Sequence, residues 1–185
     1  MRTFIAIDLG PAIKERLAAF VSRLKPLGGD IKWVSRDSMH LTLKFLGEID
    51  PARAAGVKDA LAAVCSGRMS FSLACRGTGV FPPGSRSPRV LWVGVEAGPE
   101  LGLLQEEIEA SCARLGFDRE SRPFNPHLTL GRVKSPGGSG RAVAELERAR
   151  DEAFGEMSVR SVIFFESRLR PSGAEYAVLQ EFALK

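Results

Sequence analysis

The 185-residue chain reads as an α+β protein built from two copies of one unit, with sheets lining a groove and helices outside. Two observations predict this. The tetrapeptide His-Leu-Thr-Leu occurs at His40–Leu43 and again at His127–Leu130, and the two copies hold the only histidines, 87 residues apart. Each half also alternates strand-like and helix-like apolar patterns in the order β-α-β-α-β. Sliding the chain by the same offset lays Arg2-Thr3-Phe4-Ile5-Ala6 on Arg89-Val90-Leu91-Trp92-Val93, Leu17 on Leu104 and Val21 on Ile108. A long period with matched element order is the signature of an internal repeat.

The elements follow in order. Residues 2–8 form an apolar strand. Residues 11–24 carry Ile13, Leu17, Val21 and Leu24 on one helical stripe, started by Pro11. A short strand or turn is expected at Trp33-Val34, and the first His-Leu-Thr-Leu strand over 40–46. Asp50-Pro51 is an N-cap followed by proline, and Ala54, Val57, Leu61 and Val64 continue the helix. Strands are expected near 70–76 and 89–95, separated by the Pro/Ser/Arg loop 81–88. Residues 99–115 form a helix opened by Pro99 and stopped by Gly116. The second His-Leu-Thr-Leu strand spans 127–133, a glycine-rich loop 135–140, and a helix 141–154. Strands near 159–169 and 175–184, with Gly173 in the turn, close the chain.

Composition narrows the class. Hydrophobic content of 44% and charged content of 26% are ordinary for a globular domain. No apolar run reaches the length of a membrane span, and the N-terminus lacks the pattern of a secretory signal. Cys65, Cys75 and Cys112 are odd in number and lack CxxC spacing, which implies a reducing, cytoplasmic setting without a disulfide frame. With two histidines and no cysteine pair, no metal site is expected. There is no GxSxG elbow, P-loop or complete dinucleotide loop. Net charge is +4, unevenly spread: residues 1–90 hold 14 Lys+Arg against 7 Asp+Glu, residues 91–185 hold 12 against 15. A basic half beside a reactive face suits a polyanion such as RNA.

Alternation on a strand sets His40 and Thr42 on one face and Leu41 and Leu43 on the other, and His127 and Thr129 against Leu128 and Leu130. Burying the leucines presents two imidazoles and two hydroxyls. Imidazole trades protons near neutral pH. One can deprotonate an attacking water while the other protonates a leaving oxygen, and a cyclic phosphodiester needs little more. Thr42 and Thr129 can donate to the non-bridging oxygens. Lys44 shares the His40 face by alternation and is a candidate to steer phosphate. Phe45 and Arg132, each five residues beyond a histidine, are candidates to stack on a base or hold phosphate. Strict alternation puts both on the leucine face, so such a role requires a bulge. Trp92, in an apolar run, is expected in the core.

These residues resemble the 2H phosphoesterases, and among them the RNA 2′,3′-cyclic phosphodiesterases, also called 2′-5′ RNA ligases. The resemblance rests on Arg2-Thr3-Phe4-Ile5-Ala6-Ile7, on His40-Leu41-Thr42-Leu43-Lys44-Phe45-Leu46-Gly47, on Arg89-Val90-Leu91-Trp92, and on Phe124-Asn125-Pro126-His127-Leu128-Thr129-Leu130-Gly131-Arg132. It implies one domain over 1–185 of two pseudo-symmetric lobes, each an antiparallel sheet with two outer helices, around a central cleft. The lobes are expected near 1–88 and 89–185, with terminal strands open to exchange between them. It implies hydrolysis of a terminal 2′,3′-cyclic phosphate to a 2′-phosphomonoester without metal or cofactor, with His40 as proton donor and His127 as proton acceptor, and in some relatives reversible ATP-independent 2′-5′ ligation. Two alternatives stay open: a cyclic phosphodiesterase for a small nucleotide or ADP-ribose-type substrate, with loops 81–88 and 134–140 setting the difference, and a non-catalytic module that binds RNA ends. The partner in the main reading is RNA with a cyclic phosphate end. No membrane partner is implied, and a monomer is expected.

Overall fold

The computed structural model describes residues 1–185 apart from Arg86, Pro136, Pro171 and Ser172, and describes the backbone alone at Arg170 and Gly173. It has nine strands and four helices among the described residues, arranged as two antiparallel sheets. The strands are β1 (Arg2–Asp8), β2 (Ile31–Trp33), β3 (His40–Glu48), β4 (Phe71–Phe81), β5 (Val90–Ala97), β6 (His127–Val133), β7 (Ala153–Val159), β8 (Ser161–Arg170) and β9 (Gly173–Ala183). The helices are α1 (Pro11–Leu24), α2 (Pro51–Ser66), α3 (Pro99–Arg114) and α4 (Gly140–Arg148). One sheet runs β3-β1-β8-β9 and holds the His40 strand; the other runs β2-β6-β5-β4-β7 and holds the His127 strand.

Neither sheet comes from one half of the chain. β8 and β9 complete the sheet of β1 and β3, and β2 and β4 join the sheet of β5, β6 and β7. The helices cross as well. α2 and α3 pack together, with α3 against β3 and α2 against β8 and β9, while α1 packs on β7 and α4 on β4. Each sheet thus has two outer helices, one from each half, and the division read near residue 88 does not separate the two sheets.

Local signals explain most boundaries. Proline occupies the first turn of α1, α2 and α3, where its missing N–H costs no hydrogen bond. The Asp50 carboxylate accepts from the Arg53 backbone N–H at 2.7 Å and caps α2. Gly116, at φ +80°, ends α3 in the left-handed conformation that side chains resist. The helix expected over 141–154 stops at Arg148. Ala142, Leu146 and Ala149 keep its period, but Phe154 leaves the helix to pair in β7 and packs on Phe20 of α1 at 5.1 Å between ring centroids. Among the described residues no helix is long and apolar enough to cross a membrane.

One apolar core joins the helix-facing sides of both sheets. Ile5, Ile7, Leu41 and Leu43 enter it from one sheet, and Leu91, Val93, Leu128 and Leu130 from the other. Burying a leucine contributes about 1.5–3 kcal/mol, so the four Leu side chains of the two tetrapeptides fix which face of β3 and β6 is inward. A second small cluster of Phe4, Ala6, Ile163 and Phe165, with Tyr176 against it, lies on the opposite face of the first sheet.

Candidate active site

The inward leucines leave His40, Thr42, His127 and Thr129 half-buried on the opposite faces of their strands. β3 and β6 touch each other, and both histidines stand on the side of their strands away from the shared core. The two imidazoles are held by the same device. His40 Nδ1 donates to the Ser38 carbonyl oxygen at 2.8 Å, and His127 Nδ1 donates to the Asn125 carbonyl oxygen at 2.7 Å, each two residues back. A carbonyl can only accept, so Nδ1 carries hydrogen in both rings and Nε2 is left as the reactive nitrogen.

Both strands contain a bulge at the same place. In the β1–β3 pairing, Ala6 faces Thr42 and Ile5 faces Lys44, leaving Leu43 as an extra residue. In the β5–β6 pairing, Trp92 faces Thr129 and Leu91 faces Gly131, leaving Leu130 extra. The extra residues are 87 apart, the histidine spacing. A bulge shifts the alternation by one position. Phe45, 65% exposed, and Arg132, also exposed, therefore lie on the faces of His40 and His127 rather than with the leucines.

The same shift corrects the reading of Lys44. It turns to the core, is 6% exposed, and donates to Glu109 Oε2 of α3 at 2.8 Å and to the Asp118 carbonyl at 2.9 Å. Gln105 of α3 donates to the Leu43 carbonyl at the bulge at 3.4 Å. Lys44 is thus a buried strut behind the site and not a phosphate contact within it. At the matching position the other strand has Gly131, whose missing side chain makes room for Ile31: a Cβ there would stand 2.8 Å from Ile31 Cγ2. Trp92 is also corrected. It is half-buried on the Thr129 face, because the two halves of the repeat run one residue out of register at β1 and β5.

The surroundings of the imidazoles differ. His40 lies against Phe4 (4.7 Å between centroids) and meets the edge of Tyr176 (5.1 Å). Asp8 stands opposite His40 on β1 and is ion-paired with Lys14 at 2.6 Å. Burial pushes the His40 pKa below its ordinary value, the Ser38 carbonyl bond and Asp8 push it back, and Lys14 opposes them. His127 meets the edge of Phe81 at 5.2 Å, and its cross-strand partner is Gly94. A hollow of about 110 Å³ opens beside His40, walled by Asp8, Lys14, Phe165 and Tyr176. That is room for about three waters. A larger hollow of about 300 Å³ between α1 and β7 has no histidine, and its Arg23 already pairs with Glu145 and Glu152.

Sequence reasoning missed Phe4, Asp8 and Tyr176 as neighbours of His40. Tyr176 is the sole tyrosine, a signal composition offered. The other two emerge only from cross-strand register. In loops 81–88 and 134–140, Arg86 and Pro136 lie outside the described residues.

The model of the LigT-like phosphoesterase family matches twice, over residues 7–92 and 93–176. An RNA 2′,3′-cyclic phosphodiesterase of Thermotoga maritima is 37% identical over 182 residues, covering 98% of this chain and 94% of that protein. Its counterpart from Archaeoglobus fulgidus is 36% identical over 184 residues, covering 98% and 99%. Among solved structures, TT0787 of Thermus thermophilus superposes with a TM-score of 0.84 at 30% identity, covering 100% of this chain and 98% of that one. E. coli LigT complexed with 3′-AMP superposes with a TM-score of 0.80 at 26% identity, covering 99% and 97%. The chain belongs to the LigT-like phosphoesterase family.

Proposed function

We propose that this protein hydrolyses the 2′,3′-cyclic phosphate end of RNA to a 2′-phosphomonoester, using two histidines and no metal. The carrying observation is the matched tether of the imidazoles, with each Nδ1 bound to a carbonyl two residues back and each Nε2 without a hydrogen bond to any described residue. The relatives named RNA 2′,3′-cyclic phosphodiesterase support the substrate class.

In this reaction His127 Nε2 takes a proton from water as the water oxygen bonds to phosphorus. The bond from phosphorus to the 3′ oxygen breaks, and His40 Nε2 gives that oxygen its proton. The 2′ bond remains, so the product is the 2′-phosphomonoester. Thr42 and Thr129 hydroxyls donate to the non-bridging oxygens, where charge builds in the transition state. Phe45 offers a face on which a base can stack, and Arg132 a planar cation for base or phosphate. If a 5′-hydroxyl replaces water, the same steps give a 2′-5′ linkage, and ring strain takes the place of ATP.

The test is turnover of an oligonucleotide 2′,3′-cyclic phosphate in EDTA. His40→Ala and His127→Ala are each expected to lower kcat by roughly 10²–10⁴ while leaving the melting curve in place. Wild-type rate in either variant, or activity only with added metal, overturns the reading. An RNA carrying both a 5′-hydroxyl and a cyclic phosphate reports ligation in the same assay.

A further inference from the structure

Two cations stand opposite each other at the far end of the His127 strand. Lys32 of β2 and Arg132 of β6 are direct cross-strand partners, and both are exposed. Directly opposed residues of an antiparallel pair project from the same face. That face is settled by their neighbours. Ile31 and Trp33 pack against the core, and a Cβ on Gly131 would point at them, 2.8 Å from Ile31 Cγ2 and 3.0 Å from Trp33. Lys32 and Arg132 therefore project from the other side, the side of Thr129 and His127.

Like charges placed directly opposite on a sheet repel. Other strand cations in direct register meet an opposite or uncharged partner: Arg2 faces Glu48 and Ser167, and Arg168 faces Glu175. Lys32 and Arg132 form no ion pair with any described residue, and the partner of Arg132 on β5 is the uncharged Val90. A lysine on an edge strand such as β2 can serve to repel other strands, but that purpose needs no second cation facing it. On the facing sheet Arg2 has Glu48 opposite it on β3. Arg2, Ser167 and Tyr176 form one row across β1, β8 and β9. Burial raises the Tyr176 pKa, and the charges of Arg132 and Arg2 both oppose it, so the two cations lie within electrostatic reach of one side chain. The hydroxyl has no hydrogen-bond partner among the described residues.

Thr129 and Arg132 face Trp92 and Val90, two positions apart on β5 because Leu130 is the bulge residue, so they stand about 7 Å apart along the sheet at about 3.3 Å per residue. That is a step on the scale of one nucleotide from the phosphate held at Thr129. Resting on the proposed function, we propose that Lys32 and Arg132 form a subsite for the internucleotide phosphate next to the terminal cyclic phosphate. The preferred substrate is then an RNA chain of two or more nucleotides, and a mononucleoside cyclic phosphate leaves this subsite empty.

The experiment compares kcat/KM for cytidine 2′,3′-cyclic phosphate and for a trinucleotide with a cyclic phosphate end, between about 50 and 200 mM salt. The wild type is expected to favour the trinucleotide, more so at low salt. Lys32→Gln is expected to lower trinucleotide turnover roughly tenfold relative to mononucleotide turnover, the scale of one charge-assisted bond. It should also flatten the log–log salt slope for the trinucleotide by about 0.7. Lys32→Arg should retain the preference and Lys32→Glu should lose more of it than Lys32→Gln. Lys32 is exposed, so melting curves should be unmoved in all three. Equal losses on both substrates, no loss, or no trinucleotide preference in the wild type overturns the subsite and leaves the proposed function standing. Failure of the wild type on both substrates overturns both.

Discussion

Lys44→Met is expected to destabilise the protein by about 3 kcal/mol at pH 7, although the residue was a surface candidate by alternation. Lys44 and Glu109 side chains are 4% and 11% exposed and lie 2.8 Å apart. Removing one partner of a buried pair costs about 3–5 kcal/mol, because the other charge is left without compensation. The stranded carboxylate has an escape, which is to take up a proton. For a carboxyl with a solution pKa of about 4.3 that costs about 3.7 kcal/mol at pH 7, which caps the penalty. At pH 5 the same cap is about 1 kcal/mol. The penalty therefore stands above the carboxyl's solution pKa and shrinks as pH falls toward it. In a protein of this size a loss of about 3 kcal/mol lowers Tm by roughly 6–12 °C. Adding Glu109→Met removes the stranded charge and should recover most of the loss, less about 1 kcal/mol for the Asp118 carbonyl, which loses its donor. The assay is urea unfolding of wild type, single and double variants at pH 7 and pH 5. The reasoning fails if the single variant lies within 1 kcal/mol of wild type at pH 7, if its penalty is as large at pH 5, or if the double variant is no more stable than the single.

Two further outcomes follow from the surroundings of the histidines. Asp8→Asn removes the carboxylate that holds the His40 proton and leaves the opposing charge of Lys14, so the His40 pKa falls further. A proton donor must be protonated to act, so the alkaline limb of the kcat/KM profile should move to lower pH while the acid limb stays; a pH profile with no shift in the alkaline limb refutes the assignment. Gly94→Ala puts a methyl 2.7 Å from the Arg76 carbonyl oxygen, opposite His127, where backbone has to yield. Overpacking of this kind costs about 1–3 kcal/mol, and a melting curve within 1 °C of wild type would show that the strand gives way freely.

What the sequence could disclose was local. The His-Leu-Thr-Leu strands, the proline-started helices and the Asp50 cap each depend on residues within a few positions, and each stands in the structure as read. What it concealed was set by distant partners. The bulge at Leu43 is held by Gln105, 62 residues away, and by the pairing of Lys44 with Glu109, 65 away, so alternation alone sent Lys44 to the wrong face. The crossing of α1 and α3 to the opposite sheets has no signature in the helices themselves, whose apolar stripes specify that they are covered but not by which sheet. A gapless offset of 87 aligned the histidines and the bulges but put Phe4 on Leu91, residues of opposite faces. Register within a sheet is decided by the whole buried face, and a one-residue slip is invisible in a run where every residue is apolar.

The repeat makes the two histidines alike in backbone and leaves their difference to what stands around them. His40 is enclosed by Phe4, Phe165 and Tyr176 with a carboxylate nearby, and His127 touches Phe81 and faces a glycine. Burial disfavours the protonated form of His40. Asp8 restores some of the protonated population, and a substrate phosphate brings further negative charge to the same place. A proton held against the pull of burial is also given up more readily, since the neutral ring is the form the apolar wall favours. His127 is the more exposed of the two and is open to water. In the proposed reaction the enclosed imidazole is the donor and the open one the acceptor, and Asp8→Gly, which copies the glycine of the other half, is the change that should blur the distinction.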